Sequence, residues 1–183
     1  MRISILLFGF IILSHQSICR DSLITFKLPH KFTRKINSQA RLSVFLFFSA
    51  ECPLCGNYTT YLNDLSKEYP DDAVEFTYIF GLSFSEREIN DFVKRYSLKG
   101  SIVLDRKTKY MRAFGATTTP EVFVLDNRKQ LVYSGAIDNR AYEIGKLRKV
   151  VTEQYLKSVI DATIDLAVIP YKRIPPIGCL LEQ

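Results

Sequence analysis

Histidine is scarce in this chain: in 183 residues there are two, His15 and His30, and both lie upstream of Cys52 and Cys55. That removes the pair of histidines that a structural zinc site ordinarily brings. The four cysteines, Cys19, Cys52, Cys55 and Cys179, form a single C-x-x-C, so the second half of a zinc cage is missing too. No metal ligand and no cofactor are assigned. Clustered basic charge with interleaved aromatics is also lacking. The net charge of +6 is spread along the chain, and its densest groups, Lys107, Lys109 and Arg112 or Lys146, Arg148 and Lys149, read as solvated faces, which excludes nucleic acid as a partner. Internal repeats and low-complexity segments are absent. The apolar run over residues 3–13 is too short to span a bilayer comfortably. What remains, 47% apolar and 24% charged residues, is the composition of one folded domain with a proper core.

The N-terminus, Met1-Arg2 followed by that apolar run and the polar exit Ser14-His15-Gln16-Ser17-Ile18-Cys19, has the form of a secretory signal. Ser17 and Cys19 are small enough for cleavage after Cys19, which leaves a net charge of +5 because only Arg2 is lost. The rival is cleavage before Cys19 with lipidation of its thiol and a membrane tether, which Gln16 and Ile18 fit poorly. The expected divisions are a signal over 1–19, an N-terminal extension over 20–40, the main domain over 41–168 and a proline-containing tail over 169–183. The expected location is periplasmic or otherwise extracytoplasmic.

The chain is organised around Phe45-Leu46-Phe47-Phe48-Ser49-Ala50-Glu51-Cys52-Pro53-Leu54-Cys55. An apolar strand runs out, turns, and delivers two cysteines to the start of an amphipathic helix. Thiols three positions apart on a first helical turn can close a small ring, and the free N–H groups there favour a thiolate. The pattern reads as a redox pair, with a structural disulfide of an exported protein as the bland alternative. Downstream, residues 42–48 predict a strand covered on both faces. Tyr58, Tyr61, Leu62 and Leu65 mark a helix closed by Pro70. Alternation at Val74, Phe76, Tyr78 and Phe80 predicts a strand, Ser85 to Glu88 a capping box, residues 101–104 a short strand, and residues 107–114 a short helix capped by Gly115. Pro120 opens a strand over 121–125, Asp126 to Gln130 is a turn, and residues 131–135 return as a hairpin. A polar stretch over 138–149 and a helix over 153–168 follow. Pro170, Pro175 and Pro176 then make the tail with Gly178-Cys179 extended. Strand and helix alternate, which predicts an α/β sandwich with a partly parallel sheet.

Cys52-Pro53-Leu54-Cys55 after an apolar strand, with Thr119-Pro120 before a hairpin and terminal helix, resembles the thioredoxin fold over about residues 42–168, a three-layer sandwich around a central mixed sheet. The stretches 115–126, 133–139 and Ile177-Gly178-Cys179 are similar to exported redoxins of the alkyl-hydroperoxide-reductase/thiol-specific-antioxidant superfamily. The resemblance implies that Cys52 attacks and Cys55 resolves. It also implies that Pro120 is cis against the pair, that Pro53 and the Thr119 backbone position a partner peptide, and that Cys179 resolves or exchanges with Cys52. Two departures stand out. The buried acid that thioredoxins carry six positions before the first cysteine is Leu46 here. The peroxiredoxin motif has Ser49 at its hydroxyl position but Phe45 in place of its proline. A copper carrier of this fold would space its cysteines by three and add a downstream histidine, and this chain has neither.

These readings converge on an exported thiol-disulfide oxidoreductase acting on a protein dithiol or disulfide, or with a membrane electron donor. The alternatives are a peroxiredoxin-like peroxidase, with Cys52 peroxidatic and Cys55 or Cys179 resolving, and a redox-inert binding module whose C-x-x-C is a staple or a metal grip.

Overall fold

A computed structural model describes residues 41–181; the expected signal with Cys19 and the extension over 20–40 lie outside the described residues. The first strand, β1 (Leu42–Phe48), buries all seven of its side chains. Each large apolar member contributes roughly 1.5–3 kcal/mol by leaving water. Helix α1 (Pro53–Glu68) starts where the apolar run stops, with Pro53 at its first turn, where a missing N–H costs nothing. Strand β2 (Val74–Phe80) lies parallel to β1, Leu42 opposite Val74 and Phe48 opposite Phe80. Helix α2 (Glu86–Tyr96) carries both reciprocal bonds of the expected capping box between Ser85 and Glu88. Strand β3 (Ser101–Leu104) adds parallel to β2. Helix α3 (Lys109–Phe114) ends at Gly115 in the left-handed conformation.

Next come β4 (Thr118–Thr119), β5 (Glu121–Asp126) and β6 (Leu131–Gly135). β5 runs antiparallel to β1, and β6 antiparallel to β5. After a small hairpin of β7 (Ala141–Glu143) and β8 (Lys146–Leu147), helix α4 (Tyr155–Ile164) leads to β9 (Arg173–Ile174) and β10 (Cys179–Leu180). The main sheet has the order β3-β2-β1-β5-β6-β9 and mixes parallel and antiparallel pairs. Alternate side chains of β1 divide the core. Val44, Leu46 and Phe48 face α1, α2 and α4, while Phe45 and Phe47 pack with Phe114 of α3. This is the expected three-layer α/β sandwich.

Three local differences have physical causes. α3 starts two residues later than the pattern predicts, because the buried Asp105 carboxylate accepts the N–H groups of Lys109 and Met111, both at 2.8 Å. α4 is shorter than residues 153–168. Asp165 closes it, Leu166 turns left-handed, and Leu166 and Val168, which extended the apolar pattern, stand in water. The polar stretch over 138–149 holds the β7/β8 hairpin, whose exposed side chains give no alternating signal. Among the described residues no helix is long and apolar enough to cross a membrane.

Candidate active site

The end of β1 and the start of α1 place Cys52 at the helix N-cap, with backbone in the extended region. Only 4% of Cys52 is exposed, and Cys55, one turn into the helix, is wholly buried. The Cys52 thiol is lowered to about 5. The largest cause is the Cys55 thiol, which donates to the sulfur. Burial opposes the shift, and the N–H groups of Cys55 and Leu54 and the Cys179 thiol add to it. Those N–H groups stabilise the charge without meeting the geometry of a capping hydrogen bond. Cys55 moves the other way. Burial pushes its thiol well above the ordinary value, and the neighbouring Cys52 adds to the rise. The Ser49 N–H points at the Cys55 sulfur from 3.5 Å. One reactive thiolate thus sits beside one thiol held neutral.

Across the cleft, the Thr119–Pro120 peptide is cis, and the Thr119 carbonyl oxygen lies 3.5 Å from Cys52 Sγ. The turn is held from below by Glu121. Its side chain is wholly buried, and its Oε2 accepts the N–H groups of Thr117 at 2.9 Å and Thr118 at 3.2 Å. Cys179, paired with Thr119 on that same edge, brings its Sγ to 3.3 Å from Cys52 Sγ. The three described cysteines are free thiols. A cleft of about 280 Å³ opens beside them, rimmed by Leu82, Phe84, Leu180 and Leu181.

The Redoxin family profile matches residues 26–151, a stretch that takes in β1, the cysteine pair, the cis-proline turn and the β5/β6 hairpin. The chain belongs to the Redoxin family. Among curated relatives, this redoxin is 31% identical over 121 residues to the thiol-disulfide oxidoreductase ResA of Bacillus cereus, covering 63% of this chain and 62% of that protein. It is 28% identical over 125 residues to ResA of Geobacillus thermodenitrificans, covering 67% and 61%. The match therefore spans about three fifths of the length of those relatives. Among solved structures, a hypothetical protein of Sinorhizobium meliloti 1021 superposes with a TM-score of 0.68 at 23% identity, over 78% of this chain and 80% of the other. An uncharacterised conserved protein of Geobacillus kaustophilus gives 0.69 at 20% identity, over 82% and 80%. Both share the fold.

Of the residues singled out in the sequence, Cys52, Cys55, Thr119 and Cys179 meet at one point of this redoxin, and Pro120 follows Thr119 through the cis peptide. Pro53 opens α1 with its ring in solvent. Cys19 lies outside the described residues. Leu46 is buried between Tyr78 and Val122, so its position supplies no acid to Cys55. Ser49 Oγ accepts the Glu51 N–H at 3.3 Å. Among the described residues no arginine lines the Cys52 cleft, and no group of three or more His, Cys, Asp or Glu side chains is arranged to hold a metal.

Two features escaped the sequence reading. Glu121 is one; its signal is an acid placed directly after a Thr-Pro turn at the head of an otherwise apolar strand. The other is Asp138. Its Oδ1 accepts from Tyr58 Oη at 2.5 Å and from the Arg140 N–H at 2.8 Å, while the Arg140 guanidinium lies 4.8 Å from the centre of the Tyr58 ring. This ties α1 to the segment after β6.

Proposed function

We propose that this redoxin is an exported thiol-disulfide oxidoreductase that exchanges disulfides through Cys52 and Cys55. The observation that carries the reading is the pairing of a Cys52 thiolate, lowered to about 5, with a buried Cys55 thiol one helical turn away. The thiolate attacks one sulfur of a substrate disulfide, a Cys52–substrate bond forms, and the other substrate sulfur leaves as a thiolate. Cys55 then gives its proton to the departing sulfur and attacks Cys52 Sγ. The substrate leaves reduced, and two electrons have passed from the pair to it. Run backwards, the same steps oxidise a substrate dithiol. The Thr119 backbone beside Cys52 is the surface that positions the partner chain. The signal pattern over residues 1–19 supports export, with a protein dithiol or disulfide, or a membrane electron donor, as partner, and Cys19 as the tether if it is lipidated.

Turnover of insulin disulfides with dithiothreitol as reductant tests this. The wild type accelerates the reaction and Cys52→Ser does not; equal slow rates for both would overturn the reading. The peroxidase alternative has less support, because the Ser49 oxygen already accepts the Glu51 N–H and, among the described residues, no arginine lines the Cys52 cleft. Peroxide consumption by the same two proteins separates it.

A further inference from the structure

The tail over residues 169–181 is extended, as its prolines require, and it is also built into the fold. Arg173–Ile174 pairs parallel with β6, and the Ala136 N–H bonds the Ile174 carbonyl at 2.9 Å. Pro175-Pro176 then carries the chain stiffly across the end of the sheet. Beyond it Cys179 and Leu180 pair antiparallel with Thr119 and Thr118, and the Leu181 N–H bonds the Thr117 carbonyl at 2.9 Å. The approach is so close that a side chain at Gly178 would place its Cβ 2.1 Å from the Thr119 carbonyl oxygen. Only glycine fits. The tail thus lies as an added strand on the edge that a partner peptide would use, with its own cysteine 3.3 Å from Cys52 Sγ. Leu180, 84% exposed, and Cys179 remain open to solvent, whereas Cys55 has no exposure at all.

We propose that Cys179 is the third redox thiol of this site, and that residues 177–181 act as a tethered substrate strand that forms a Cys52–Cys179 disulfide during exchange. The proposal rests on the exchange reading above. After Cys52 has captured a substrate sulfur, the Cys179 thiol gives its proton to that departing sulfur and attacks Cys52 Sγ. The substrate thiol leaves and the Cys52–Cys179 bond forms. The oxidising equivalents, two electrons' worth, now sit on a sulfur at the surface. An outside thiol of a reducing partner attacks Cys179 Sγ, which expels the Cys52 thiolate. That is the favourable direction, because the sulfur of lower pKa leaves faster. A second thiol of the same partner then frees Cys179 and leaves the partner as a disulfide. A docking protein must displace the tail to reach Cys52. The tail itself displays the preferred ligand: a small residue before the cysteine and apolar residues after it, which share the cleft with Leu82 and Phe84.

The test uses fully reduced Cys55→Ser protein treated with oxidised glutathione, quenched by alkylation and mapped by peptide mass spectrometry. A Cys52–Cys179 crosslink free of glutathione is the expected product. Cys52 carrying a stable glutathione with Cys179 alkylated would overturn the proposal and leave the exchange reading standing. An unmodified Cys52 would sink both. Adding Gly178→Val should cut the crosslink at least about tenfold, because the strand can no longer seat; an unchanged yield would overturn the tethered-strand role. If serine is not tolerated at the buried position, Cys55→Ala serves in its place with the same outcomes.

Discussion

Cys55 and Cys179 both approach the Cys52 sulfur, and the two are neutral for different reasons. Cys55 is fixed in the core by α1, and desolvation is the main cause of its raised thiol. Cys179 is exposed, and its rise to about 11 comes first from the hydrogen bond it donates to Cys52, with burial second. The difference teaches where a redox site stores its control. A thiol raised mainly by burial keeps the larger part of that rise when its partner changes state. One held neutral by a neighbouring thiolate returns toward the ordinary range, about 8.5, once that neighbour is bonded or the tail lifts away.

The comparison is broken most completely by Cys52→Ser, which removes the sulfur both thiols address. Exchange falls to the uncatalysed background in the insulin assay. Glu121→Ala separates the two thiols next. It leaves the Thr117 and Thr118 N–H groups without their acceptor and loosens the edge that seats Cys179, while the α1 turn that carries Cys55 is untouched. Urea unfolding is expected to show a loss of about 2–4 kcal/mol, and Cys179 to become more reactive toward alkylation than in the parent. Cys55→Ala comes third. In the reduced wild type the alkylation rate of Cys52 is expected to be half-maximal near pH 5 and flat toward neutrality, because the thiolate is the reactive form and falling pH protonates it. Removing Cys55 removes the largest cause of that lowering, so the midpoint moves up. Cys179→Ala moves it in the same direction by less, because the Cys179 hydrogen bond ranks below those from Cys55. A larger shift from the tail variant than from Cys55→Ala would reverse the assignment of roles.

How far the sequence carried is itself explained by this contrast. β1, β2, α1 and the capping box of α2 were legible because their signals are local, a run, an alternation or a four-residue cap. The position of the cysteine pair was legible for the same reason, since it follows from a junction of strand and helix. The approach of Cys179 to Cys52 was implied by the family resemblance alone, and no local pattern shows it. Cys179 lies 127 residues from Cys52, and two prolines announce an extended segment without saying which edge it joins. Asp105, which sets the start of α3, and Glu121, which holds the cis-proline turn, are single acids whose burial depends on the assembled sheet. Leu166 and Val168 misled in the other direction, because an apolar residue in a helical pattern says nothing of whether the core reaches that far.

The central claim is that Cys52 and Cys55 form a reversible redox couple. An equilibrium titration of the whole protein against reduced and oxidised glutathione, read by differential alkylation of each cysteine, tests it most directly. The account predicts a Cys52–Cys55 disulfide that opens and closes at a potential above about −300 mV. A pair that stays oxidised at and below that value would be a structural staple, and would contradict the account.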